Sequence, residues 1–309
     1  MIPEIRDERQ MRALTGVPTE KLSILDAAFA LALADTKEEA YREGLSQGKR
    51  ERKPGGGQKG KLPSEHDKLV FLLYYLKVYP TFDVLGTQFG MNRSKACENV
   101  HALLPILYKA LENLGVMPYR EFKTVEEFRT ACDWIDDLLI DATERPHSRP
   151  SDNAKQKDLY SGKKKRHVIK NTVMSTVAKW IFFLGRTFSG HEHDYTMLKT
   201  EFSPEHPWFE NLHALLDAGY QGILTDYKGE NIEIPNKKPR KSKKNPEPEL
   251  APELKAQNQA ISRMRIFVEN AIAGIKRANI LVHTFRNHKT GMVDSVIAIG
   301  AALWNLLLL

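Results

Sequence analysis

Three carboxylates stand where apolar packing would not place an acid. Asp141 closes the run "DLLID", Asp217 closes "HALLD", and Glu269 lies inside "RIFVENAI" among Ile266, Phe267 and Ile272. Burying an ionised carboxylate is costly unless it is paired, hydrogen-bonded or bound to a metal. Two strand-end aspartates and one helical glutamate can converge at the edge of a sheet, where their mutual repulsion calls for a divalent cation. Ligation by oxygen alone selects Mg²⁺ or Mn²⁺ over zinc. Two such ions about 3.5–4 Å apart stabilise the attacking and leaving oxygens of a phosphodiester displacement. Arg265, Glu269 and Lys276 fall on roughly one helix face, so the glutamate can hold metal while the two cations meet phosphates. A plain Arg265–Glu269 ion pair fits the same spacing and would stabilise little.

These groups must be positioned by folded elements, and the composition allows them. The chain has 309 residues, 41% hydrophobic and 28% charged, as expected of a globular protein rather than a disordered one. Its 46 Lys and Arg against 39 Asp and Glu give a net charge of +7, which favours an anionic partner such as nucleic acid. The two cysteines, Cys97 and Cys132, have no CxxC spacing and read as small core residues. The charged N-terminal stretch lacks the apolar segment of a secretory signal. The apolar C-terminal run holds Asp294 and reads as a buried closing helix rather than a membrane span. The expectation is a cytoplasmic, nucleoid-associated protein with no membrane contact.

Residues 1–46 read as a helical leader, with Thr19 placed to cap a helix whose apolar face carries Leu22, Leu25, Ala28, Phe29 and Ala32. Residues 47–64 are basic and glycine-rich, a flexible linker or arm. Over 65–120 the spacing predicts a helix, a short second helix capped at Pro80-Thr81, a turn at Gly90-Met91-Asn92 and a third helix. That is a helix-turn-helix layout, with Arg93 and Lys95 on the first turn of the recognition helix; an ordinary helical hairpin has the same pattern. From 133 onward the texture becomes α/β. "DLLIDATE", "KRHVIKNTVMST" and "KWIFFLGRTFSG" read as strands, "HEHDYTMLKTEF" as a helix, and "WFENLHALLDAGYQGI" as a helix leading to a short strand. An exposed basic, Pro/Glu-rich insertion occupies about 235–256. Lys163, Lys164, Lys165 and Arg166 stand at the entrance of a hairpin taken to lie near Asp141, placed to clamp a DNA backbone or simply to be solvated. His191, His193 and Asp194 lack an evident fourth zinc ligand, and Asp226 is a rival to Asp217 for the second acidic position.

Taken together, "RQMRALTGVPTEKLSILDAAF", the helix-turn-helix segment, "IDATERPHSRPSDNAKQKDLYSGKKKRHVIKN", "GHEHDYTML", "LLDAGYQGI" and "ISRMRIFVENAIAGIK" resemble, in order, a prokaryotic insertion-sequence transposase of the DDE superfamily. The branch it resembles is the one related to Harbinger-type elements. The resemblance covers nearly the whole chain and implies an α/β fold: a ribonuclease-H-like mixed sheet flanked by helices over 133–309, preceded by the all-α helix-turn-helix region. It implies the acidic triad Asp141, Asp217 and Glu269 with Mg²⁺ or Mn²⁺, and activity on double-stranded DNA with terminal inverted repeats. It also implies a homodimer or higher oligomer assembled on that DNA. Two positions depart from the pattern: Ala142 stands where such enzymes often carry Gly, and Ser262 where the broader signature has Tyr. An inactive, domesticated DNA-binding derivative and another metal-dependent endonuclease of the same core remain as alternatives.

Overall fold

The computed structural model describes residues 5–52, 60–240 and 246–309; part of the glycine-rich linker and of the basic insertion fall outside them. The chain forms two compact units. The first comprises the chain as far as Met117 with Ile275–His283 and Asn287–Leu309, and the second comprises Pro118–Gly274 with Thr284–Arg286.

The first unit is helical. It holds α1 (Glu8–Thr15), α2 (Thr19–Ser46), α3 (Glu65–Val78), α4 (Phe82–Gln88) and α5 (Arg93–Asn113). Thr19 is the first residue of α2 rather than its cap: Pro18 holds the cap position, and the Thr19 hydroxyl donates to Glu8. Ser64 and Asp67 form a reciprocal capping box on α3, which satisfies otherwise orphaned amides. Thr81 caps α4, and Asn92 caps α5 by accepting from the Lys95 amide at 2.8 Å. α3 is apolar nearly all round and is buried accordingly at Leu69–Leu73, Tyr75 and Leu76. Each such Leu or Phe contributes about 1.5–3 kcal/mol by leaving water.

The second unit carries α6 (Val125–Cys132), β1 (Asp137–Pro146), α7 (Asn153–Leu159), β2 (Tyr160–Ser161), β3 (Arg166–Ser175), β4 (Ile181–Leu184), β5 (Phe188–Ser189), α8 (Asp194–Glu201), β6 (His213–Leu215), α9 (Ile223–Asp226), β7 (Ile232–Glu233) and α10 (Pro252–Ile275). The seven strands form one mixed sheet, β2-β3-β1-β6-β7, with β4 and β5 also paired to β3. β3 runs antiparallel to β1, whereas β6 and β7 run parallel to it. This is the ribonuclease-H-like arrangement anticipated from the sequence. Leu138, Leu139 and Ile140 are fully buried, so the middle of the sheet is covered on both faces. An aromatic cluster, Phe122, Phe128, Phe182, Phe183, Phe202, Trp208 and Phe209, fills the core, with Phe183 and Phe202 edge-to-face at 5.0 Å.

The sequence pattern differs from the fold in three places. Residues 208–212 form turns rather than the expected helix, because Trp208 and Phe209 are both drawn into the aromatic core instead of lining a helix face. β1 runs on through Asp141 to Pro146, so that aspartate is not the end of its strand. The closing helix α11 (Met292–Leu308) belongs to the first unit, where buried Asn305 donates to the Val116 carbonyl, although the sequence grouped it with residues from 133 onward. Among the described residues no helix is long and apolar enough to cross a membrane.

Candidate active site

Parallel pairing of β1 with β6 ends at the Leu139–Leu215 rung. Asp141 and Asp217 each lie two residues beyond it, where the two strands no longer share a ladder. Asp217 is the cap residue of a short 3₁₀ turn, Ala218–Tyr220. Asp141 remains paired to β3 opposite Val173, and its Oδ1 accepts from the Ala142 amide at 2.8 Å. The third acid arrives on α10, where Ile261, Val268, Ala271 and Ile275 are buried and Arg265 reaches Asp141 and Asp217.

Arg265 is the hub. Its Nη1 is 3.1 Å from Asp217 Oδ1, and its Nη2 lies 3.4 Å from Asp141 Oδ2 and 4.0 Å from Glu269 Oε1. Three carboxylates separated by 75 and 51 intervening residues thus surround one guanidinium. Their burial is unequal: the side chains of Arg265, Asp141, Asp217 and Glu269 are 15%, 20%, 43% and 58% exposed. Only Asp141 is therefore the misplaced buried acid that the apolar context suggested. Glu269 faces outward with Ile266, and the buried charge of α10 is the arginine. Burial raises the Asp141 pKa, opposed by the Ala142 amide and Arg265 and reinforced by the charges of Asp217 and Asp194.

The donor chemistry is oxygen throughout, which fits a hard divalent cation such as Mg²⁺ or Mn²⁺ in type. In the arrangement seen, the guanidinium supplies the positive charge among the acids. Among the described residues no three Asp, Glu, His or Cys side chains are close enough together to hold an ion.

Other candidates are placed elsewhere. Asp226, the rival to Asp217, accepts from Tyr195 Oη at 2.7 Å and from Lys199 at 3.4 Å on α9. Lys276 falls in the other unit, one residue past α10. Arg93 and Lys95 are exposed on the first turn of α5, at 3.9 Å from Asp83 and 3.0 Å from Glu98 respectively. Lys163, Lys164 and Lys165 form the exposed β2–β3 turn, and Arg166 opens β3. That run is not beside Asp141. Arg166 is seven residues from Val173, the register partner of Asp141, or about 23 Å along the strand.

Two groups, one buried and one half-buried, escaped the sequence pattern. Lys170, inside β3, donates to the Glu192 carbonyl at 2.8 Å and to Asp194 at 3.0 Å, and lies 3.7 Å from Glu144. A lysine interrupting the apolar run "HVIKNTV" was the available signal. Glu201, at the end of α8, accepts from the Arg186 amide at 2.8 Å, and its carboxylate lies so close to Gly185 that a Cβ there would stand 2.0 Å from Oε1. Burial pushes the Glu201 carboxyl up to about 7.

Residues 140–305 match the family described as "DDE superfamily endonuclease", and residues 60–113 match "Helix-turn-helix of DDE superfamily endonuclease". The chain is 31% identical over 256 residues to a protein of Microchaete diplosiphon named "Probable transposase for insertion sequence element IS702". That similarity covers 81% of this chain and 83% of the relative. No solved structure matches the chain.

Proposed function

The chain belongs to the DDE superfamily of endonucleases, and from that premise we propose that it is a DNA transposase. In this reading α4 and α5 recognise the terminal inverted repeats of an insertion element, with Arg93 and Lys95 meeting the major groove. Asp141, Asp217 and Glu269 would hold divalent ions, Mg²⁺ or Mn²⁺ and two in number. Bound there, such ions would supply positive charge for both the attacking and the departing oxygen of a phosphodiester displacement. Water cleaves a phosphodiester at each element end and leaves a 3′-hydroxyl. That hydroxyl then attacks a phosphate of target DNA, exchanging one P–O bond for another.

The observation that carries the proposal is the convergence of three sequence-distant carboxylates on Arg265. Arg265 has two roles here. It orients the acids around one positive charge, and its remaining N–H donors can bind the non-bridging oxygens of a phosphate in the forked geometry that lysine lacks. Lys163 to Arg166 and Lys276 supply cations for the DNA backbone. Joining two ends calls for a second copy of the chain on the DNA.

The test compares the parent with D141N, D217N and E269Q on a linear duplex carrying the DNA that flanks the gene, with Mn²⁺ present. Each substitution abolishes cleavage and leaves duplex affinity within a few-fold. Parental cleavage by any of the three overturns its place in the triad. Binding without cleavage by the parent itself favours a DNA-binding derivative.

A further inference from the structure

The end of the sheet remote from the acids holds a second feature suited to DNA. α7, β2 and the start of β3 border an open cavity of about 550 Å³, lined in part by Arg149, Lys157, Tyr160, Gly162, His167 and His191. That volume is in the range of small-ligand sites. Tyr160 is 43% exposed although it is an aromatic residue within a strand. Its backbone pairs with His167, whose ring meets the phenol in a T-shaped contact at 5.8 Å. One T-shaped neighbour covers at most one face of the ring. Arg149 is held by donating to Gln156 at 2.8 Å, and among the described residues no carboxylate lines the cavity. The exposed turn of Lys163, Lys164 and Lys165 projects beside it.

We propose that this cavity binds an unpaired nucleotide of the DNA substrate, with Tyr160 stacking on its base and the surrounding cations holding its phosphates. The proposal rests on the DNA-acting function above. A convex duplex backbone can be met by the projecting lysine turn, but a concave pocket with an aromatic wall accepts a base only out of the stack. Every base offers a π-face, so the site takes any base, and the cations match the phosphate charge. His167 is six residues from Val173, the partner of Asp141, which puts the pocket about 20 Å along β3 from the acids. At about 3.4 Å per nucleotide along a strand, the unpaired nucleotide stands about six positions from the reacting phosphate.

The experiment uses the full chain in EDTA, with a fluorescein-labelled 15-nucleotide oligothymidylate and the corresponding dA·dT duplex as probes. The parent binds the single strand. Y160A weakens single-strand binding roughly tenfold or more, as expected for loss of one base–aromatic stack, and leaves duplex affinity within about twofold. Y160W restores single-strand binding, and a 5-iodouracil oligonucleotide cross-links to Tyr160. The triple variant K163Q/K164Q/K165Q weakens both probes. If Y160A binds both probes as the parent does, or loses both equally, or if the parent ignores the single strand, the proposal is wrong. Because no metal is present, failure of the acidic triad leaves these outcomes unaffected, and the cleavage test compares proteins that all retain Tyr160.

Discussion

Replacing Arg265 with Gln removes the one positive charge that Asp141, Asp217 and Glu269 share. At about 4 Å and an effective dielectric of ~20, a charge pair is worth about 4 kcal/mol. Exposure of Asp217 and Glu269 reduces their shares to about 1 kcal/mol or less each. Asp141, much the most buried of the acids, dominates. Stranding one member of a buried pair costs roughly 3–5 kcal/mol, and protonation of the stranded carboxylate trims that figure. The expected loss in metal-free buffer at neutral pH is about 2–4 kcal/mol. For a unit of this size that is a fall in melting temperature of roughly 5–15 °C. The sign with pH follows from the burial of Asp141, which raises its pKa already in the parent. Loss of Arg265 raises it further, so the deficit grows as pH rises past the ordinary aspartate range and vanishes below it, where both proteins are protonated. If the acids hold Mn²⁺ as proposed, the ion at a hundred times its dissociation constant adds about 2.7 kcal/mol to either protein, and the variant binds it more tightly because no guanidinium competes for the acids. Scanning calorimetry with EDTA or Mn²⁺ between pH 5 and 8 reads all of this. A variant that melts with the parent in EDTA at pH 8 would refute the hub.

Two further outcomes follow from the packing. Glu201 binds a proton in the folded state up to about pH 7 but in the unfolded state only to about 4.5, so folding stability falls as pH rises through that window, by roughly 3 kcal/mol. E201Q flattens this part of the profile in urea titrations at pH 5 and pH 8, and an unchanged difference between the two pH values would remove the assignment. Gly86 packs so tightly under the helix-turn-helix turn that a Cβ would stand 2.5 Å from the Met91 carbonyl oxygen. G86A therefore displaces the start of α5 and lowers duplex affinity at least tenfold, measured by anisotropy; parental affinity would show that the turn can yield.

The helical elements were legible because their signals are local. Thr81 accepts from an amide within its own first turn, as read from the sequence, and Asn92, read there as part of a turn, does the same for α5. The sheet was legible as a set of strands, from the β-branched and aromatic runs around Ile169 and Phe182. Long-range consequences were not. Nothing local to "WFENL" says that Trp208 and Phe209 will enter an aromatic core, and the periodicity there imitates a helix. The apolar neighbours of Glu269 suggested burial, but Ile266 is itself exposed and the helix turns Arg265 inward instead. The basic run at 163–166 was placed beside Asp141 on the strength of a shared hairpin, whereas seven residues of β3 separate Arg166 from Val173, the partner of Asp141.

The Leu139–Leu215 rung gives the two aspartates equal offsets, each two residues past the last shared pairing. The 75 residues between them include five strands of the same sheet and two helices, and the chain comes back to β6 in register with β1. Length changes in the loops and helices of that excursion, outside β3 and β6, are therefore free to occur without altering the gap between the acids. A single residue inserted or deleted between Leu139 and Asp141, or between Leu215 and Asp217, does the opposite: it turns one carboxylate to the other side of its chain. The site thus tolerates large edits far from it and none of the smallest kind beside it, a property that scanning insertions across residues 136–220 would map directly.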